Sequence, residues 1–121
     1  MPVLHVLIVG SVDAELRVGL ARRIADAAAP TLASRPGGTW VTVSHLESGS
    51  YAENEQTEAG APPVFVSVLH REPPQGDRRI AEVRALTRAV AGACGRPEER
   101  VHLVYEPAGR GRVAFGGELV E

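Results

Sequence analysis

Lysine is missing from this 121-residue chain: all thirteen of its basic side chains are arginine. Arginine is effectively never deprotonated in a protein. The only aliphatic amine that could serve as a base or nucleophile near neutral pH is therefore the one at the N-terminus. Cysteine occurs once, as Cys94, which excludes an internal disulfide and fits a reducing, cytoplasmic setting. Cys94 stands among alanines in a helical stretch and reads as a small core residue. Two Tyr, two Phe and one Trp are too few for a base-stacking surface, and a formal charge of −2 offers no basic patch, so no nucleic-acid partner is expected. The longest apolar runs are strand-sized, so no membrane span is expected. The start lacks the basic region and cleavage site of a signal peptide. His5, His45, His70 and His102 have no ligand-like spacing to cysteine or carboxylates, so neither a metal nor a cofactor is expected.

What is present reads as one unit written twice within a single domain. "MPVLHVLIVG" opens the chain, and "PPVFVSVLHR" repeats its pattern. Pro2-Val3 and Pro63-Val64, Arg35-Pro36 and Arg96-Pro97, and Val43 and Val104 all stand 61 residues apart. Each copy reads as strand, helix, strand. The first helix is expected over "SVDAELRVGLARRIADAAAPTL", with Ser11 or Asp13 as cap and Leu16, Leu20, Ile24, Ala27 and Ala28 at helical spacing. The second is expected over "GDRRIAEVRALTRAVAGAC". It is capped by Asp77, stopped by Gly95, and has Ile80, Val83, Leu86, Val90 and Cys94 on one face. "TWVTVSHL" and "VHLVYE" supply the closing strands, parallel to their openers because each helix is a long crossover. The expectation is an α/β (α+β) fold: two tandem βαβ units, 1–50 and 62–121, joined by a polar connector, 51–61. They form a four-stranded sheet with both helices on one face.

The other sheet face is left bare. It holds Val3, His5 and Leu7 with Val64, Val66 and Val68, or the alternate set. Strands this apolar call for burial on both sides, so copies of the chain are expected to cover that face for one another. The connector, within "ESGSYAENEQTEAGAP", reads as a hairpin or a lid.

A βαβ unit whose proline directly follows the initiator methionine resembles the tautomerase superfamily. "RPEERVHLVYEPAGRGRVAFGGELVE" is similar to the C-terminal half of a 4-oxalocrotonate tautomerase subunit, including a closing hairpin at Gly116, Gly117, Glu118 and Leu119. "VLHRE" resembles a loop of the cis-3-chloroacrylic acid dehalogenases. "GRGR" with "GGELV" resembles malonate semialdehyde decarboxylase. The length matches the branches in which two units are fused. The resemblance implies a homotrimer acting on a small carboxylate substrate, with Pro2 catalytic and Arg71, Tyr105, Arg110, Arg112 and Phe115 in substrate-binding roles.

The chemistry implied for Pro2 follows from elementary considerations. A free α-amino group titrates near ~8, and an apolar pocket beside arginine cations lowers that value. Such a base can take a proton from carbon next to a carbonyl and return it elsewhere. Arginine binds the substrate carboxylate bidentately and stabilises the dienolate. Pro63 reads as the duplicated partner of Pro2. Its nitrogen is an amide without basicity, so each chain offers one site. Retention of Met1 would likewise make the Pro2 nitrogen an amide.

The chain also departs from its relatives. His102 stands where the simple tautomerases carry a strand arginine. Val113 takes the place of their pocket phenylalanine, with Phe115 two residues on. The loop arginine is Pro73 by strict counting and Arg71 by the "LHRE" match. A second arginine is replaced at Pro73-Pro74, a helix histidine reads as Ala28 or its neighbour, and a glutamate position reads near Ala114. The decarboxylase's first-half arginine and aspartate fall on "RPGGTW". Hydration needs a carboxylate to activate water, and none is evident. Arg110 and Arg112 either reach a neighbouring pocket or form inter-subunit ion pairs, and Tyr105 is either a packed aromatic or a helper. Trp40 and His102 read as structural, His5 and His70 as facing an interface or a pocket. Arg22-Arg23 and Arg78-Arg79 read as solvated helix faces. The primary expectation is a proline-dependent tautomerase of a small α-keto acid or enol carboxylate. The alternatives are a hydratase or decarboxylase of a three-carbon acid, and a non-catalytic subunit of the same fold.

Overall fold

The computed structural model describes residues 2–56 and 60–121. Its main sheet has four strands, β1 (Val3–Val9), β2 (Trp40–Leu46), β3 (Val64–Leu69) and β4 (Val101–Tyr105), in the order β2-β1-β3-β4. β1 pairs parallel with β2, and β3 pairs parallel with β4. The two inner strands run antiparallel, with Val6 opposite Val66. The helices are α1 (Ala14–Arg17), α2 (Leu20–Ala28) and α3 (Gly76–Cys94), and a hairpin of β5 (Ala114–Phe115) and β6 (Glu118–Leu119) closes the chain. Leu4, Val6 and Ile8 alternate into the core with Val64, Val66 and Val68. There they meet Leu20, Ile24 and Ala28 of α2 and Leu86, Val90 and Cys94 of α3. Each wholly buried Leu, Ile or Val contributes roughly 1.5–3 kcal/mol. Cys94 is a buried core residue, and burial pushes its thiol pKa up. The expected sheet with both helices on one face is present.

Four expectations about the helices change. The first helix is broken: Gly19 sits at φ 64, Val18 is extended, and α1 ends at Arg17. The Arg23 guanidinium donates to the carbonyls of Leu16 and Val18, satisfying groups the break leaves unpaired. Arg23 is thus bound rather than solvated. In the second helix, Gln75 occupies the N-cap position without a side-chain bond. Asp77 lies inside the first turn, where its charge complements the helix dipole. Ala27 and Ile80, both assigned to core faces, are exposed.

The faces of the sheet also change. Directly paired residues share a face, so Val64, Val66 and Val68 belong to the helix side. The bare side carries Val3, His5, Leu7, Phe65, Ser67 and, on the outer strands, Thr42, Ser44, His102 and Val104. The physical repeat is therefore not the 61-residue spacing of the sequence. The inward sets Leu4, Val6, Ile8 and Val64, Val66, Val68 stand 60 apart, as do Val41 and Val101. The helix sets Leu20, Ile24, Ala28 and Leu86, Val90, Cys94 stand 66 apart. A shift of one residue inverts every side chain of a strand, which makes Pro62, not Pro63, the structural counterpart of Pro2.

At the Pro62 end, β1 finishes in Gly10 at φ 78. A Cβ there would stand 2.9 Å from the Pro62 ring and 3.3 Å from Ser48 Oγ. Gly10→Ala combines a left-handed backbone with contact against a stiff ring. It is expected to cost about 2 kcal/mol, read from the denaturant midpoint.

Candidate active site

Pro2 heads β1 and is buried. Its carbonyl accepts a 3.1 Å bond from the Trp40 amide, which ties the start of β2 to it. The antiparallel register ends at Val3 opposite Leu69. Continued by one residue, it sets Pro2 beside His70, at the mouth where β3 leaves the sheet. Strand alternation turns both toward the helices.

At that mouth His70 Nε2 lies 2.8 Å from Glu82 Oε2, and the Tyr105 hydroxyl donates to the same oxygen at 2.5 Å. Tyr105 enters through the register, opposite Val68, and its ring stacks on His70 with centroids 6.1 Å apart. The Arg79 guanidinium lies 5.2 Å from the Tyr105 ring centre and donates to the Pro74 carbonyl at 2.7 Å. Arg79 is therefore engaged, whereas Arg78 is exposed, so only half of that pair fits the solvated reading. A cleft of about 540 Å³ opens beside the cluster, between Thr31–Ala33 and the segment from Glu72 to Arg78, with His70 and Glu82 in its wall.

Burial first, and then the bond to the Glu82 carboxylate, pushes the Tyr105 phenol well above the usual tyrosine range. A raised folded-state value means that the folded protein holds this proton more tightly than the unfolded chain. The stabilisation is complete below the ordinary value near ~10 and fades as pH climbs toward the folded one. In a Tyr51→Phe background Tyr105 is the only phenol. Its phenolate absorbance is expected to stay absent at about pH 11 and to emerge with unfolding. A normal titration near 10 would contradict the bond.

The other site residues divide into groups. Arg71 is exposed, and its Nε donates to the carbonyl of Glu121 at 2.5 Å. The Arg110 amide donates to the Arg71 carbonyl at 3.2 Å, and the Arg110 guanidinium stands 3.5 Å from Glu72. Those two arginines are thus brought together. Arg112 turns back on its own loop, toward the carbonyls of Pro107 and Ala108, 3.3 Å from each. Phe115 packs edge-on against Trp40 at 4.8 Å, which sets the closing hairpin against the strand bonded to Pro2. Tyr105 faces the His70–Glu82 side rather than the arginines.

Sequence reasoning missed Glu82 and Arg79. Glu82 lies four residues before Leu86 and eight before Val90, on the buried stripe of α3. A carboxylate in that register was the available signal. Among the described residues no group of three His, Cys, Asp or Glu side chains gathers as a metal site, and no helix is long and apolar enough to cross a membrane.

The opposite end of the sheet is built differently. Arg96 donates to the carbonyls of Pro62 and Ser11 at 2.6 and 2.9 Å. Arg100 bonds the Ala61 carbonyl at 2.8 Å and Glu53 at 2.9 Å, and Glu53 also accepts from Tyr51 at 2.7 Å. These bonds hold both ends of the connector to the body of the protein. The hairpin or lid assigned to the connector includes residues 57–59, which lie outside the described residues.

No protein-family model and no curated protein sequence matches this chain. Solved structures do match over nearly its whole length. A fused 4-OT described as a wild-type symmetric trimer aligns with a TM-score of 0.79 at 17% identity, covering 98% of this chain and 94% of that one. A malonate semialdehyde decarboxylase, studied as wild type, as a proline-to-alanine variant and in inactivated form, aligns at 0.69 and 15% identity, covering 94% and 90%. A member of the cis-3-chloroacrylic acid dehalogenase family aligns at 0.76 and 17% identity, covering 98% and 83%. At these identities the likeness is one of fold.

Proposed function

We propose that this chain, which has the fold of the tautomerase superfamily, is a proline-dependent tautomerase of a small α-keto acid or enol carboxylate. Pro2 is its general base once Met1 is removed. The observation that carries this reading is the placement of a buried Pro2 at the end of the sheet where His70, Tyr105 and Glu82 converge. Burial disfavours the charged form of the ring nitrogen and lowers its pKa. The ring and the strand fix its position, so little freedom is lost in reaching the reactive geometry. Arg71, one residue beyond His70, is the carboxylate binder. Arg110 adds positive charge beside it, and Phe115 and Trp40 form the apolar wall. Arg112 belongs to the loop that carries Arg110. No cofactor enters this chemistry.

The malonate semialdehyde decarboxylase of the same fold has been studied as a proline-to-alanine variant, which supports giving the proline the central role. The bare sheet face, together with the trimeric state of the fused 4-OT, supports a homotrimer, and the single buried cysteine supports a cytoplasmic one. The deciding experiment has two steps: the intact mass of the mature chain, then turnover of phenylenolpyruvate or 2-hydroxymuconate. Removal of Met1 with turnover that depends on Pro2 is the expected outcome.

One observation favours the hydratase or decarboxylase alternative: Glu82 provides the carboxylate that the sequence did not reveal. Reaction of a three-carbon acid in place of enol turnover would select it. A retained Met1 would leave the non-catalytic reading.

A further inference from the structure

We infer that Glu82 is a second proton-transfer group of this site, taking the proton from the substrate's enol hydroxyl while Pro2 serves only the carbon. The inference rests on the proline reading above and adds a residue and a division of labour to it.

The hydrogen bonds determine what the cluster offers a ligand. Both donors, His70 Nε2 and the Tyr105 hydroxyl, converge on Oε2 of Glu82. Oε1 has no side-chain partner among the described residues, although the Glu82 side chain is only 10% exposed and lines the cleft. Tyr105 has committed its one hydrogen to Glu82, so its oxygen presents only lone pairs to a ligand. A carboxylate, which only accepts, gains nothing from the Glu82 and Tyr105 oxygens. An enol O–H, which donates, fits it. The substrate carboxylate thus belongs with the arginines and the hydroxyl with Glu82, which fixes the orientation of the substrate.

The step balances. The enol O–H bond breaks and its proton passes to Oε1 of Glu82. The oxygen electrons form the carbonyl, and the carbon–carbon π pair takes a proton from the protonated Pro2 nitrogen. The product is the α-keto acid, and the two catalytic groups recover their starting states by proton exchange with solvent. The reverse reaction uses the opposite proton states.

The two ends of the sheet show that the cluster is not a demand of the fold. Under the 60-residue strand and 66-residue helix correspondences, the counterparts of His70, Tyr105 and Glu82 are Gly10, His45 and Leu16. The same architecture closes there with a glycine and a leucine at the matching positions, and the carboxylate found at that end, Glu53, comes from the connector and is held by Arg100 and Tyr51. The trio occurs only beside Pro2. Arg79, Arg78 and Glu72 are the remaining charged groups around it.

The test is phenylenolpyruvate ketonisation by the full chain freed of Met1. Glu82→Gln keeps the side-chain size and still accepts from Tyr105, but it cannot take a proton. kcat is expected to fall about 10²-fold with KM within about twofold, because the lost interaction exists only in the transition state. Glu82→Asp keeps the acid but withdraws it by one methylene. It is expected to lose about tenfold in kcat, and it reads the same point if the Gln variant unfolds by circular dichroism. Pro2→Ala is run in parallel. If Pro2→Ala lowers kcat by about 10²-fold while both Glu82 variants keep kcat within about threefold of wild type, the role of Glu82 is overturned and the proline reading stands. If Pro2→Ala keeps kcat within about threefold of wild type, both fall.

Discussion

Phenylenolpyruvate turnover is expected to fall by about 10²-fold in kcat on Pro2→Ala, and by about 10⁴-fold when Met1 is left in place, relative to the Met1-free chain. The two losses differ because they remove different things. Alanine leaves a primary amine, so a base survives. What disappears is the ring that holds the nitrogen at the head of β1, and a misplacement of about 1 Å alone can cost about 10²-fold. A retained methionine turns the nitrogen into an amide with no basicity, and the catalyst itself is gone. The chain has no lysine that could substitute. The order Met1-free, then Pro2→Ala, then Met1-retained is therefore required. Equal turnover by the Met1-free and Met1-retained chains would remove the amine from the mechanism. The pH dependence should follow the same logic. An apolar setting disfavours the charged form of such a nitrogen, so on the proline reading proton abstraction from carbon is expected to begin below ~8 rather than above it.

The strands and α3 could be read from the sequence because their signals are local. β-branched runs of seven or fewer residues, apolar positions three and four apart, and Gly95 at φ 66 ending a 19-residue helix all lie within one window. The face of each strand could not be read in this way. A spacing of 61 matched prolines and arginines, but the inner strands pair Val6 with Val66, and the one-residue difference inverts the sheet. The helix break at Gly19 was hidden because Leu16, Leu20 and Ile24 continue the four-residue spacing straight across it. The site was legible only in part. Pro2 and the arginines stood out by residue type, whereas Glu82 became meaningful only when a long-range fold brought it to Tyr105, 23 residues away, and to His70, 12 away. Arg79 looked solvated for the same reason, since its partner ring arrives from another strand.

Val104→Asp is expected to convert the proposed homotrimer into a folded monomer, raising the dissociation constant by about 10³-fold or more. Val104 is 58% exposed in the isolated chain. It lies on the sheet face that no helix covers, beside Ser67, on the same face as His5, Leu7 and Phe65. Trp40, half exposed, extends the apolar surface along β2. That face is mixed: the His5 ring bonds the Thr42 hydroxyl across β1 and β2, and Ser67 donates to Glu106 at 2.6 Å. An interface built on it therefore combines apolar contact with polar groups that already have intrachain partners, and it leaves few unsatisfied when copies dock. A carboxylate at position 104 would be driven into that contact, and burying a charge is what such interfaces tolerate least. The monomer itself should be undisturbed, since Val104 points away from the core on an edge strand. Sedimentation velocity reads the change directly, with circular dichroism confirming the retained fold. If Val104→Asp still sediments with the wild-type assembly, the contact does not run through this face. If the wild type is already a monomer, the face needs no partner.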